Sequence, residues 1–508
     1  LHLPAIAGAP PAAAAARTLN REFIINILFL VLINLLIKPA FIFGIDLTVQ
    51  NRIGADYGLY FALLNLTYIF QIVNDFGIQG FNNRYISRHP QLLPKYFPNL
   101  LAIKGLLGIL YVALTLLVAW GLLGYGRREL PLLLILLLNS ILVQMVLFLR
   151  SNVSGLGHYR LDSFLSSLDK LLMFATCGIL LWANPFPAIP FTIETFALAQ
   201  TLALLLTVLI VFRLLRRKAE FPIRPSWAKN WRAGRPVVLF LLRKSYPYAL
   251  VVLLMFAYTR LDGVLLERLL PDGKTHAEVY AGAYRLLDAC NMLGFMFASL
   301  LLPMFARLLK DPAHTGVRSL ASLSFSLLWT GSITLAAAVY FAREDLLHLM
   351  MPGRASPYRW DTLGLLIWAF VPVSMTNIFS TLLTAQERLR DMNRFFLIGI
   401  VLNVTLNLFL IPTYQAFGAA AATVATQSFV AFGMLWLCKR FFHFHPSRAW
   451  MFRTAGFAVF VPAADYLVFN SIQADWKIRF GLALLAGLFG GFLFGLLRVR
   501  KAAVFLKM

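Results

Sequence analysis

Acidic side chains are scarce in this chain of 508 residues: 22 Asp and Glu stand against 46 Lys and Arg. Charge of either sign is thin, 13% of residues, where an ordinary soluble domain carries roughly 25%. Cysteine is nearly absent. Cys177, Cys290 and Cys438 each lie inside an apolar run, which argues against a disulfide framework or a cysteine-ligated metal site. The eight histidines fall mostly in loops or tails. No metal-ligand spacing, Walker-type glycine loop or nucleophile with a neighbouring base occurs, so neither a catalytic constellation nor a cofactor is expected. What fills the chain is apolar side chain, 60% of residues, with a mean hydropathy of +0.74. A soluble fold of this length could not bury so much, and disorder requires the opposite composition. An integral membrane protein remains. The formal net charge of +24 would suggest nucleic acid in a soluble protein. Here no nucleic-acid partner is expected, and the positions of the cations carry the information.

A membrane-spanning helix needs about 20 mostly apolar residues. Runs of that kind predict fourteen helices, at 24–46, 59–79, 101–124, 130–149, 163–183, 193–213, 245–267, 278–305, 319–342, 362–384, 395–412, 418–438, 453–471 and 480–497. The run 395–438 is interrupted by Pro412 and Gly418 and reads as two helices with a tight turn. These runs are too long and too uniformly apolar for the alternating strands of a β-barrel. The fold class is all-α and polytopic. Cytoplasmic loops are biased toward Lys and Arg. With the N-terminus inside, 31 of the 46 cations fall in cytoplasmic segments, 10 outside and 5 within spans, which puts both termini in the cytoplasm. The Ala/Pro-rich start, 1–22, reads as a disordered tail. Segment 214–244 mixes Arg and Lys with Trp and Pro and reads as a basic linker lying on anionic lipid headgroups. It divides a first set of six helices (23–213) from a second (245–440). Two further helices and a basic tail occupy 441–508.

The two six-helix sets resemble each other weakly. YGLY at 57–60 opens helix 2 and YAGAY at 280–284 opens helix 8, and aligning Tyr60 with Tyr284 maps Lys38 onto Asp262. Both sets enter from the same side, so the repeat is parallel, an arrangement found in transporters. A charge at the bilayer centre costs at least ~2.5–3.5 kcal/mol on insertion scales and usually faces a cavity or a partner. Such charges crowd into the first eight helices: Lys38, Asp75, Lys104, Asp162, Asp169, Lys170, Arg260, Asp262, Glu267, Arg285 and Asp288. Asp465 on helix 13 reads as a packing contact. A polar cavity lined by helices 1, 2, 7 and 8 accounts for the crowding. Lys38, Arg260 and Arg285, with Lys104, suit a phosphate or diphosphate through charge-assisted hydrogen bonds. Asp75, Asp262 and Asp288 are candidate H⁺ or Na⁺ coupling sites, or partners for those cations when the cavity is empty.

Structural explanations compete with each of these. Arg285 and Asp288, spaced i,i+3, can simply pair with each other on one helix face. Lys104 can snorkel to the cytoplasmic interface. Lys38 is followed by Pro39, which weakens the helix there. Arg260 and Asp262 are two apart, do not face each other, and each needs an outside partner.

The stretch 49–88, with its short outer turn ending in Tyr-Gly, helix 2 closing near Asp-Phe-Gly and a basic turn after it, resembles the helix 1–2 region of polysaccharide-type flippases. Segment 150–173 is similar to that family's helix 4–5 turn. The Tyr-Ala-Gly-Ala-Tyr-Arg element (280–285) and Leu-Pro-Met-Phe (302–305) are similar to its helix 8. These O-antigen and exopolysaccharide flippases belong to the multidrug, oligosaccharidyl-lipid and polysaccharide exporter superfamily. The resemblance implies two six-helix lobes in a V-shaped, pseudo-twofold arrangement around a central cavity. It implies alternating access that carries undecaprenyl-diphosphate-linked oligosaccharide across the bacterial cytoplasmic membrane for surface polysaccharide or lipopolysaccharide synthesis. The cavity cations would hold the diphosphate, and polymerase or chain-length machinery would be partners. A cation-coupled drug exporter and a lipid II flippase of the same superfamily are the alternatives. Some relatives carry two extra C-terminal helices that form a groove for the lipid tail.

Overall fold

The computed structural model describes residues 36–37, 39–79, 93–183, 190–218, 231–309, 315–442 and 447–497. Lys38, the first 35 residues and the core of the basic linker lie outside that set. All described regular structure is helical. A π-helical turn, Phe41–Asp46, leads into α1 (Leu47–Ile53), and α2 (Asp56–Phe70) ends in a 3-10 turn, Gln71–Asn74. Then come α3 (Leu93–Gly121), α4 (Leu130–Gly155), α5 (Tyr159–Gly178), α6 (Ile193–Lys218), α7 (Trp231–Leu269), α8 (Gly273–Leu308) and α9 (Thr315–Phe341). A short helix, Arg343–Met350, precedes α10, which is built from Pro357–Leu366 and Phe370–Ala385 joined by a 3-10 turn. Helix 389–442 divides at Gln415 (φ 54°) into α11 and α12. The chain closes with α13 (Arg448–Ser471) and α14 (Trp476–Leu493).

This matches the fourteen helices expected. Eleven described helices are long and apolar enough to cross a membrane. The difference has three sources: helix 1 is described only from residue 36, α2 is short, and α11 and α12 form one continuous stretch. Helix ends moved where polar groups intervene. Helix 2 was expected to reach residue 79. It leaves helical geometry at Asp75, whose carboxylate accepts from the backbone N–H of Gly77 and Gln79, and Phe76 and Gly77 take positive φ. The break between α11 and α12 falls at Gln415, between Pro412 and Gly418. A Cβ on Gly418 would lie 2.4 Å from the Leu410 carbonyl oxygen, so only glycine lets the returning chain come this close. The linker is shorter than expected, because α6 runs to Lys218 and α7 starts at Trp231.

Packing follows the two sets. α4 packs on α6 and α5 on α6; α7 packs on the α11–α12 pair, and α8 on α10. α2 is the bridge, lying against both α7 and α8. Small residues permit this approach: a Cβ on Gly58 would lie 1.8 Å from the Lys274 carbonyl oxygen, and one on Gly263 2.7 Å from Phe61. Without a hydrophobic driving force between helices in lipid, such close backbone contact is a main source of association. α13 and α14 pack on each other and on α9.

Candidate functional site

The π-helical turn Phe41–Asp46 widens the helix locally, and Asp46 at its end faces α8. There its Oδ2 lies 3.2 Å from Arg285 Nε, and Tyr57 donates to its Oδ1 at 2.9 Å. The Arg285 guanidinium sits 4.9 Å from the centre of the Tyr57 ring. Only 5% of its side chain is exposed, yet Nη1 and Nη2 are buried without a partner. Arg285 therefore does not pair with Asp288, the neighbour its spacing offered. Asp288 is taken by Arg260 in a two-pronged pair, Nη1–Oδ2 3.2 Å and Nη2–Oδ1 3.3 Å. Arg260 also reaches Asn65 at 3.5 Å and lies between the Tyr68 and Tyr284 rings, 5.4 and 5.1 Å from their centres. Arg260, Arg285, Asp46 and Asp288 thus meet where α1, α2, α7 and α8 converge. Lys170 of α5 approaches the same turn, 5.2 Å from the Phe41 ring centre, and pairs with Asp169 at 3.3 Å.

Lys104 and Asp75 form a separate pair. Lys104 Nζ donates to Asp75 Oδ1 at 2.7 Å and to the Asn74 carbonyl at 3.3 Å. The ammonium is buried rather than snorkelling, because the carboxylate at the end of α2 offers a nearer partner than the interface. Asp162 is held by Arg150 at 2.8 Å and braces α4 against α5.

Asp262 meets neither cation. It is fully buried in the second set and accepts four hydrogen bonds. Asn403 and Asn407 donate to Oδ1 at 3.0 and 2.7 Å; Tyr280 donates to Oδ2 at 3.0 Å, joined there by the Thr423 hydroxyl. The side-chain amide oxygens of Asn403 and Asn407 are buried without partners, while Asn407 Nδ2 also donates to the Asn403 backbone carbonyl at 2.9 Å. Turning the Asn403 amide over would bring its oxygen beside those of Asp262, Tyr280 and Thr423, a set suited to a hard monovalent cation or to a proton on the carboxylate. Among the described residues no cluster of three His, Cys, Asp or Glu occurs. The sequence signal for the cage was two asparagines at i,i+4 in an otherwise apolar run. Asp465 on α13 is fully buried, and both its oxygens lack a partner, so it is not a simple polar packing contact.

One further cluster was not anticipated. At the end of the bundle expected to be outside, Glu278 is completely buried and bound by Arg359 (2.5 and 3.2 Å) and Arg354 (3.3 Å). Gln50, from the first set, donates to both its carboxylate and its carbonyl, at 2.7 and 2.8 Å. Arg354 donates back to the Gln50 carbonyl at 3.0 Å, Asn51 donates to the Met350 carbonyl at 2.8 Å, and Lys274 lies 3.6 Å from Asp56. The two sets are closed against each other there.

The family profile described as Polysaccharide biosynthesis protein matches residues 23–309, more than half of the chain. The chain belongs to the polysaccharide biosynthesis protein family. A second profile, Lipid II flippase MurJ, matches residues 272–487. Among solved structures, a lipid II flippase MurJ in an inward closed conformation aligns with a TM-score of 0.61 at 11% identity, over 87% of this chain and 95% of that one. An inward-facing multidrug resistance MATE family transporter of the MOP superfamily aligns at 0.60 and 14% identity, over 81% and 94%. A MOP superfamily transporter from Pyrococcus furiosus, described as having a binding pocket of reverse polarity, aligns at 0.55 and 14%, over 82% and 94%. None of the curated proteins matches the chain. This family member is a multi-pass membrane protein whose fold is that of the MOP-superfamily transporters.

Proposed function

We propose that the chain flips undecaprenyl-diphosphate-linked oligosaccharide from the cytoplasmic to the periplasmic leaflet of the bacterial cytoplasmic membrane, by alternating access, for surface polysaccharide synthesis. The observation that carries this reading is Arg285: a guanidinium buried in the membrane with two terminal nitrogens free. Asp46 balances its charge at Nε, but two buried donors left unpaired are unfavourable, and a diphosphate offers paired oxygens that match the open side of the fork. Arg260 lies on the neighbouring helix and would take the second phosphate by exchanging Asp288 for it. Lys170 supports the same site; Lys38, eight residues before Asp46 in the sequence, lies outside the described residues. Residues 23–213 and 245–440 act as the two lobes, with the termini and the basic linker at the cytoplasmic face, where anionic headgroups and polymerase or chain-length partners would be met. The Asp262 cage supplies a coupling site for Na⁺ or H⁺.

The test is export of surface polysaccharide in cells carrying Arg285→Ala, Arg285→Lys or Arg260→Ala at equal membrane abundance. Loss in both alanine variants, with partial rescue by lysine, is the expected result. Wild-type export in the Arg285→Ala, Arg260→Ala double variant would sink the reading. A second reading, lipid II transport, is favoured by the MurJ profile over 272–487 and the MurJ structural likeness. Complementation of strains depleted of either flippase separates the two.

A further inference from the structure

A groove of about 570 Å³ lies between the second set and α13, at the end of the bundle expected to be outside, and belongs to none of the sites above. Tyr340 and Phe341, which end α9, form one side, with Arg343 just beyond them. Asp361, Leu365 and Trp368 of α10 form the other, and Phe417 of α12 and Pro462 of α13 complete the wall.

The lining changes along the groove. Asp361, Leu365 and Trp368 stand at i, i+4 and i+7 on one face of α10, which sets the carboxylate about 10 Å along the axis from the indole. α9 runs the opposite way and repeats the order, its rings deeper and Arg343 outermost. Charge therefore sits at the mouth and apolar surface below it.

The charged groups are accessible and only partly committed. The Arg343 and Asp361 side chains are 26% and 50% exposed, and Nε lies 3.5 Å from Oδ1, longer than the about 2.7–2.9 Å of a charge-assisted hydrogen bond. Arg343 Nη1 donates to the Tyr340 carbonyl at 2.8 Å, which leaves Nη2 uncommitted. A Cβ at Gly364 would lie 2.6 Å from Arg343 Cδ, so glycine there lets the arginine lie across α10 beside Asp361.

We propose that the groove binds an outer-leaflet glycerophospholipid with a primary ammonium headgroup, its phosphate on Arg343, its ammonium on Asp361 and one acyl chain running down past Leu365 and Trp368. A polyprenyl tail is apolar along its length and leaves the charged mouth unused. A sugar needs polar partners around its rim, and the lower half offers none. An anionic headgroup meets Arg343 but is repelled by Asp361. A trimethylammonium has no N–H for the carboxylate to accept, whereas an ammonium has three. The inference is independent of the transported substrate.

The full chain in detergent micelles is irradiated with phosphatidylethanolamine that carries a diazirine on one acyl chain, and the adducts are mapped. Adducts on Leu365, Trp368 and Phe417 are expected. Arg343→Gln should lower them by about tenfold, the equivalent of about 1.4 kcal/mol. Unlabelled phosphatidylethanolamine should displace them at about a tenth of the mole fraction that phosphatidylcholine or phosphatidylglycerol requires, the same energy again. Asp361→Asn should remove that preference. The competition among headgroups is read on the wild type and holds if either variant fails to fold. Equal displacement by the three lipids, or labelling that neither substitution changes, overturns the proposal. So does displacement by an unlabelled polyprenyl diphosphate or a soluble oligosaccharide, which would make the groove a substrate site.

Discussion

Replacing Gln50 with Leu should loosen the outer contact between the two six-helix sets while leaving the ion pairs inside the second set intact. Gln50 Nε2 donates to the Glu278 carboxylate at 2.7 Å and to its carbonyl at 2.8 Å. A hydrogen bond to a charged group contributes about 1.5–3 kcal/mol and a neutral one about 0.5–1.5 kcal/mol. Leu fills a similar volume, and Glu278 keeps both arginines, so no buried charge is stranded. The closed outer end should therefore lose at least ~2 kcal/mol relative to an open one, roughly a 30-fold change in their ratio. Spin labels at Ala55→Cys and Thr275→Cys, flanking the Asp56–Lys274 pair, report the separation. The three native cysteines are buried, which keeps background labelling low. A long-distance component should appear or grow in the Gln50→Leu chain in bilayers. An unchanged distance distribution would refute the role given to these bonds.

Three other outcomes are open to measurement. Sodium chloride, against choline chloride at equal ionic strength, should raise the unfolding midpoint of the wild type, by about 2.7 kcal/mol at a concentration 100 times Kd. Asp262→Asn should abolish that gain, and a wild type that ignores sodium leaves the proton as the only ion for the cage. Lys104→Met should strand Asp75 and cost ~3–5 kcal/mol in denaturant titration; adding Asp75→Asn should recover part of it, whereas simple additivity would contradict the coupling. Gly58→Ala places a Cβ against main chain that cannot yield and should lower the thermal midpoint by the equivalent of ~1–3 kcal/mol, so an unchanged midpoint would show that α2 and α8 are free to separate.

The fourteen helices were legible because hydrocarbon tolerates so few charges that uncharged runs mark themselves. Their ends were less so. Nothing in the sequence around Asp75 says that its carboxylate will collect the N–H groups of Gly77 and Gln79 and stop helix 2. Partner choice was the least legible feature. Spacing along one helix gives Arg285 and Asp288 a common face, but Asp46 and Arg260 reach them from other helices, and the rotation of helices about their axes is not written in a run of apolar residues. Asp262 reads in the sequence either as a coupling-ion site or as the counter-ion of a cavity cation, and its partners in the fold are neutral amides and hydroxyls. Glu278 drew no notice because its arginines lie more than seventy residues further along. The convergence of helices 1, 2, 7 and 8 was readable because charge crowding in apolar spans has few explanations.

Eleven residues of α8 hold Glu278, Tyr280, Tyr284, Arg285 and Asp288, which reach respectively the outer cluster, the Asp262 cage, the Arg260 guanidinium, Asp46 and Arg260 again. Three tasks share one rod. A substitution that rotates or shifts this helix for one of them displaces the others, so mutational effects along it should be epistatic. Adaptation to a new substrate would then proceed more easily through helices that touch a single site, with α8 the slowest segment to diverge.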